Sequence, residues 1–369
     1  KTIRIGIHVY RCRTRLCNCN RTSLMKNLLN FAFYLVIFCH NSFSAQKTFV
    51  FGKTNEHARA ICSKGKTIFI GTNLGKIYKV IGNKSFLIST DSFPEIRDIQ
   101  LVRRKLHVMQ TGNLGRMICF KKGLFGKYKL ERIQTFESSG QNVFLDGFSI
   151  YKNKGLLMGD PIDGKFSLYC LSATGEWEKL PNLASNTGEA AFAASGTTVH
   201  VSANHWYFVS GGLDSRLFHS TDYGLTWDVQ DLPFSSCESC GAYSLCVLNN
   251  TNLVTKVMVG GDYLFPNEKQ SNSFLQINND SSWITPEVSP LGYRSVVIYN
   301  EKSNLLFCGG TNGVDFSPDF GRNWFSISGG NCFSMIPYKK GLIYTSDKGR
   351  IIRLKEVKKK LYFSRNSLN

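Results

Sequence analysis

One pattern constrains this chain more than any other: a strand-like run ending in glycine or another small residue, a tight turn, and a second strand-like run. It occurs seven times after residue 46, as GTNLGKIY from Gly71, TGNLGRMI from Thr111, GDPIDGKF from Gly159, GGLDSRLF from Gly211, GGDYLFPN from Gly260, GGTNGVDF from Gly309 and TSDKGRII from Thr345. The intervals run from 36 to 52 residues, the period of a four-stranded propeller blade. No stretch after Ala45 carries sustained helical periodicity with caps, so the expected class is all-β. Aromatics at 13%, with 33 Gly and only 9 Pro, suit many short strands joined by tight turns. Seven units predict a closed, seven-bladed β-propeller of four-stranded blades. Its last blade needs an outer strand from elsewhere, for which Lys47 to Phe51 is the candidate and Leu361 to Ser364 the alternative. Joining distant parts of the chain in one blade removes the unpaired edges that an open array would keep.

Two of the units continue into a fuller motif. Ser220, Asp222, Gly224 and Trp227 in STDYGLTW, and Ser317, Asp319, Gly321 and Trp324 in SPDFGRNW, both match S-x-D-x-G-x-x-W. Short Ser and Asp oxygens accept hydrogen bonds from turn amides, Gly accommodates positive φ, and the indole adds apolar area. The assigned role is structural, a turn staple remote from any site. Trp177 and Trp283 fall at the same place in their units, after the eroded turns Ala173-Thr174-Gly175 and Asp280-Ser281-Ser282. The pattern resembles the Asp-box, or bacterial neuraminidase, repeat.

Residues 25–45 read as a secretory signal peptide: Lys26, an apolar run from Leu28 to Cys39, then small residues ending at Ser44 or Ala45. The run is too short for an ordinary membrane span. Residues 1–24 precede a plausible initiator at Met25 and are read as an extension outside the natural product. The propeller then occupies 46–369 with a basic C-terminal tail, in a secreted or periplasmic monomer with no stable membrane span after signal cleavage. The formal charge of +19 includes the first 24 residues and Lys26, which together contribute seven basic and no acidic side chains, so the remainder carries +12. That balance favours anionic partners. The Lys and Arg are dispersed and no nucleic-acid module occurs, so nucleic acid is not expected. Of the cysteines after Ala45, Cys237 and Cys240 form a lone CxxC. Without a second pair or a His cluster it predicts a local disulfide or free thiols, and no metal site.

Strand parity says where chemistry can lie. If the innermost strand of each blade begins at the top, the turn between its second and third strands is again at the top, and the turn between third and fourth is at the bottom. The S-x-D-x-G-x-x-W turns therefore sit at the bottom. At the top, the starts of the innermost strands carry Arg59, Arg97, Asp146, Glu189, Tyr243, Arg294 and Phe333, and the second turns carry Asp160, Asp163, Asp214, Arg216, Asp262 and Asp315. Carboxylates and guanidinium groups at one mouth either orient an anionic or hydroxyl-rich ligand or seal the pore by pairing with each other. Candidate ligand-binding residues are Arg59, Arg97, Asp160, Arg216, Asp262, Arg294 and Asp315.

GEAAFAASGT from Gly188, WYFVSGGLDSRLFHSTDYGLTW from Trp206, VGGDYLFPN from Val259, GYRS from Gly292 and GGTNGVDFSPDFGRNW from Gly309 resemble the secreted propellers related to the photosystem II stability and assembly factors. The resemblance spans nearly all of the chain after Gln46. It implies a seven-bladed propeller that chaperones or docks a protein partner, with no cofactor. Nothing in the sequence indicates photosynthesis. The leading reading is a non-catalytic binding or assembly platform taking a protein, an anionic ligand or a glycan at its top face. The alternative is a glycan-active enzyme of sialidase type, with arginines clamping a carboxylate, Glu189 or Asp146 as acid or base and Tyr293 as nucleophile. Against it, the F-R-I-P signature is absent, the nearest stretch being Glu95-Ile96-Arg97-Asp98. A redox enzyme is a third reading, without a dinucleotide or haem-attachment motif to support it.

Overall fold

The computed structural model describes residues 42–50, 55–89, 93–250, 253–278 and 282–357. The chain forms seven four-stranded blades of antiparallel sheet, with no helix among the described residues. The innermost strands are Ala58–Lys64, Ile96–Val102, Leu145–Tyr151, Val199–Val201, Cys240–Asn250, Val296–Asn300 and Met335–Tyr338. The first six blades pair outward in chain order, as in Ile96–Val102, Lys105–Gln110, Arg116–Lys122 and Tyr128–Thr135 of blade 2. In blade 5 the outermost strand shrinks to one bridge, Leu275 to Ile284.

Ring closure follows from the last blade. Its outer strand is Ser42–Val50, antiparallel to Arg350–Val357, with Lys47 opposite Arg353 and Val50 opposite Arg350. The seam with blade 1 is apolar: Ile343 and Ile351 pack with Ala58, Ile61, Ile70 and Val80. The signal segment expected over residues 25–45 overlaps this strand at Ser42 to Ala45, which pair with Leu354 to Val357; its residues before Ser42, Phe51, the competing segment Leu361 to Ser364 and the end of the basic tail lie outside the described residues.

The recurrent tryptophans share one mechanical job. Trp177 packs with Phe148 and Tyr169 of blade 3 against Met109 and Met117 of blade 2. Trp227 joins the cluster between blades 3 and 4, Trp283 that between blades 4 and 5, and Trp324 that between blades 5 and 6. A large ring after the third strand reaches the preceding blade and fills the widening gap between sheets that splay from a common axis. In both full turns the serine hydroxyl accepts the glycine amide, Gly224 to Ser220 and Gly321 to Ser317, at 2.8 Å. Asp222 and Asp319 then accept the amides of Thr226 and Asn323 at 2.9 Å. The Thr226 hydroxyl, which donates to Asp222 at 2.6 Å, then the Thr226 amide and the Ser220 hydroxyl hold the Asp222 carboxyl down at about 2, below the usual carboxylate range.

Candidate functional site

At the upper end of the channel, Arg59 and Arg97 come from innermost strands and Arg294 from just before one, whereas Glu189, expected at the start of the innermost strand of blade 4, lies in a separate two-residue strand, Glu189–Ala190, paired with Gly211–Gly212. Arg59 and Arg97 converge on one carboxylate, Glu95, at 3.2 and 2.9 Å. Arg97 also donates to the Ala193 carbonyl at 2.6 Å, and Arg59 lies over the Phe333 ring at 4.3 Å from its centre. Burial and the neighbouring Arg97 charge bring Arg59 down to about 10. Arg216 grips Glu189 with two guanidinium nitrogens, one at 2.9 Å, while Glu189 also accepts the Ser210 hydroxyl and the Asn186 amide. Arg294 is fully buried and donates to Asp315 at 2.7 Å, to the Tyr293 carbonyl at 2.8 Å and to Asn312 at 2.5 Å. Each of the four arginines singled out from sequence therefore already faces a carboxylate.

The remaining acids have different settings. Asp160 accepts the Ala191 amide at 3.0 Å. Asp262 accepts the Leu264 amide at 2.8 Å and faces Cys237 and Cys240 at 3.6 and 3.7 Å. Those two cysteines form a disulfide. As thiolates they would make a cation set with Asp262, but the S–S bond removes the thiolates such a set needs. Asp163 and Asp214 are exposed on their turns. Asp146 is wholly inaccessible, and neither of its oxygens makes a hydrogen bond of ordinary geometry. Burial, then the Asp160 charge, raises its carboxyl well above the usual range, against the pull of Arg97 and the nearby Ala193 and Asp160 amides.

Tyr293 sits beneath these charges, 5% exposed. Burial pushes its phenol upward, opposed by a Ser295 hydrogen bond and by Arg59 and Arg97. Tyr243 meets the Tyr293 ring edge-on at 4.8 Å, stacks on Phe192 at 4.1 Å, and donates its hydroxyl to Ser239 at 2.7 Å. Aromatic rings are thus packed beside the ion pairs, Tyr243 and Tyr293 buried and Phe192 half-buried. No protein-family model matches the chain, and no curated protein matches it. What the structure supports of the sequence resemblance is the seven-bladed fold.

One feature escaped sequence reasoning. The segment Phe192 to Thr198 does not stay in blade 4; it crosses the channel. The Ser195 hydroxyl donates to the Ser295 carbonyl of blade 6 at 2.7 Å, and the Ser334 hydroxyl of blade 7 reaches the Ser195 carbonyl at 3.4 Å. Thr197 meets Ser244 of blade 5 at 2.6 Å. Opposite, Gly196 lies against Asp98 of blade 2 so closely that a Cβ would stand 2.2 Å from the carboxyl carbon, and its φ is +77°. Only glycine fits there. Asp98 accepts the Ile99 and Phe148 amides at 2.7 and 3.3 Å, and burial pushes it up to about 7. Beneath this crossing lies a cavity of 1150 Å³ bounded by Cys62, Gln100, Ser149, His200, Cys246 and Tyr299. The available signal was the run of small residues in AFAASGT, which suits a narrow axis better than a strand core. Glu95 precedes the strand Ile96–Val102, whose register shifts between Ile96 and Asp98, so strand alternation did not single it out as the partner of Arg97.

Proposed function

We propose that the protein is a non-catalytic binding or assembly platform that acts after export, secreted or in the periplasm. The observation that carries this reading is the state of the upper mouth: Arg59, Arg97, Arg216 and Arg294 each have a carboxylate partner. Ser195 and Thr197 close the axis below them. A hydrolase needs a general acid or base that reaches a substrate and can exchange its proton. Glu189 is held between Arg216, Ser210 and Asn186, and Asp146 has no path to solvent. Arg59, Glu95, Arg97 and Arg216, partly exposed and already paired, instead give with the half-buried Phe192 and Phe333 rings a rigid face on which a protein, an anionic ligand or a glycan can dock. Export is supported by the leader pattern and by the Cys237–Cys240 disulfide, a bond that persists in oxidising compartments.

One observation favours the glycan-active reading as the second. Arg59, Arg97 and Tyr293 act on one another electrostatically at a single place, the grouping a carboxylated sugar would require. The upward shift of the Tyr293 phenol works against its use as a nucleophile. The deciding experiment is a screen of the purified protein against acidic and neutral oligosaccharides, read for binding by calorimetry and for cleavage by mass spectrometry. Binding without cleavage, retained in Glu189→Gln, is the expected outcome. Cleavage that disappears in Glu189→Gln would make the protein a hydrolase and end the platform reading.

A further inference from the structure

At the lower end, blades 1 and 2 carry a feature that the upper mouth does not explain. The turn between the third and fourth strands of blade 2 reads KKGLFGKYK, and its two tip residues, Leu124 and Phe125, are 91% and 94% exposed. A tip of this kind would be unremarkable if it were loose, but it is braced. Gly123 donates to the Lys127 carbonyl at 2.8 Å and Gly126 to the Gly123 carbonyl at 3.2 Å. Arg104 donates across to the carbonyls of Lys122 and Gly123 at 3.0 and 3.2 Å. The backbone therefore holds both apolar side chains outward. Beside them, the last hairpin of blade 1 exposes Ile81, Phe86 and Leu87, which line one groove with Phe125. The apolar surface runs from the tip across the groove to the blade 1 hairpin, a contiguous patch of the kind that marks an interaction site.

The charge around this tip has one sign. Residues 57–90 and 99–130 contain no Asp or Glu. Lys64, Lys79, Arg103, Arg104 and Lys122 line the groove on one side of the tip, and Lys127 stands on the other. The nearest acid in sequence, Glu131, is taken up by Lys105 at 2.7 Å and Lys121 at 3.5 Å. An apolar wedge with a basic collar suits a medium that is apolar inside and anionic at its surface. We propose that this lower edge docks on a membrane bearing anionic phospholipid, with Leu124 and Phe125 entering the acyl-chain boundary and the surrounding Lys and Arg lying among the headgroups. A protruding tip flanked by grooves is the reverse of what an acidic protein partner requires, which is a recess for its own anchor residues. Nucleic acid would meet the basic collar but gain nothing from an exposed leucine. The proposal stands on residues remote from the upper mouth and holds whether or not that mouth is a platform.

The test uses the full chain with vesicles of phosphatidylcholine alone and of phosphatidylcholine mixed with phosphatidylglycerol. Sedimentation is expected with the mixed vesicles and to weaken with salt. The double substitution Leu124→Ser and Phe125→Ser should lower partitioning by on the order of a hundredfold, from the apolar burial it forfeits. Lys122→Ala and Lys127→Ala should each lower it roughly fivefold. Because the apolar leader could bind lipid by itself, a local readout decides: the added emission of Phe125→Trp should shift to the blue on mixed vesicles and be quenched by brominated acyl chains. All these side chains are at the surface, so unchanged melting temperatures show that the variants fold. Emission from Phe125→Trp that does not respond to vesicles overturns the proposal, however strongly the rest of the chain binds. A shift produced only by an acidic polypeptide, and not by vesicles, overturns it equally.

Discussion

Asp146 offers the sharpest perturbation. It is 0% exposed, lacks a hydrogen bond of ordinary geometry to either oxygen, and has the Asp160 charge nearby. A carboxylate in that position is costly, so the folded protein holds its proton well above the unfolded value of about 3.9. The sign follows directly. Between the unfolded and the higher folded value the native state binds more protons than the unfolded state, so raising pH through that window removes stability, at a limiting rate of about 1.4 kcal/mol per pH unit. Asp146→Asn has nearly the same shape and no charge to bury. At about pH 4 the two proteins should differ only by a small constant, since the parent is then neutral at this site too. Above that, the variant should gain on the parent by about 1 kcal/mol over the first unit, while the unfolded carboxyl is still partly protonated, and then approach the limiting rate. Asp98, also raised by burial, tilts both curves alike and drops out of the difference. Urea unfolding at a series of pH values, with a common dependence on urea, measures it. A difference that stays flat, or that turns against the variant as pH rises, would mean that Asp146 is ionised and stabilised, and the reasoning would fail.

Three further outcomes are expected. Arg294→Ala should cost about 3–5 kcal/mol in chemical denaturation, because Asp315 would remain 1% exposed with its charge unpaired; a loss below 1 kcal/mol would show that the pair is dispensable. Asp319→Ala should cost about 1 kcal/mol through the lost turn bonds to Asn323 and leave any ligand binding at the opposite mouth unchanged. His200, beside the lower cavity, is brought down to about 4 by burial, so the unfolded chain takes up its proton first and stability is lost as pH falls from about 6.5 toward 4. His200→Gln should flatten that part of the melting-temperature profile, and an unchanged slope would refute the assignment.

The sequence by itself determined the number of blades, the direction in which each runs and the end at which each turn lies. These follow from local chemistry: a glycine at each strand-ending turn, a serine and an aspartate that cap their own turn, and a tryptophan at one repeat position. It also singled out Arg59, Arg97, Glu189, Arg216, Arg294 and Asp315 as the charged groups that strand counting would gather at one mouth. Which of them meet was decided only by the closed ring. Arg59 and Arg97 belong to neighbouring blades and share Glu95, a contact set by the angle between two sheets. The crossing of the channel by Phe192 to Thr198 was decided in the same way. Its bonds reach Ser295 and Ser334, about a hundred residues or more along the chain, and its clearance depends on Asp98, about a hundred residues earlier. Gly211 and Gly241 show the difference at a single point. The sequence context marks a strand-ending turn at Gly211 only, but a Cβ there would stand 2.8 Å from the Cys240 carbonyl oxygen and 3.0 Å from the Gly241 Cα. The close approach of two blades, not the turn alone, excludes a side chain there. Local bonds are written in neighbouring residues, whereas packing between blades depends on every strand that sets their spacing.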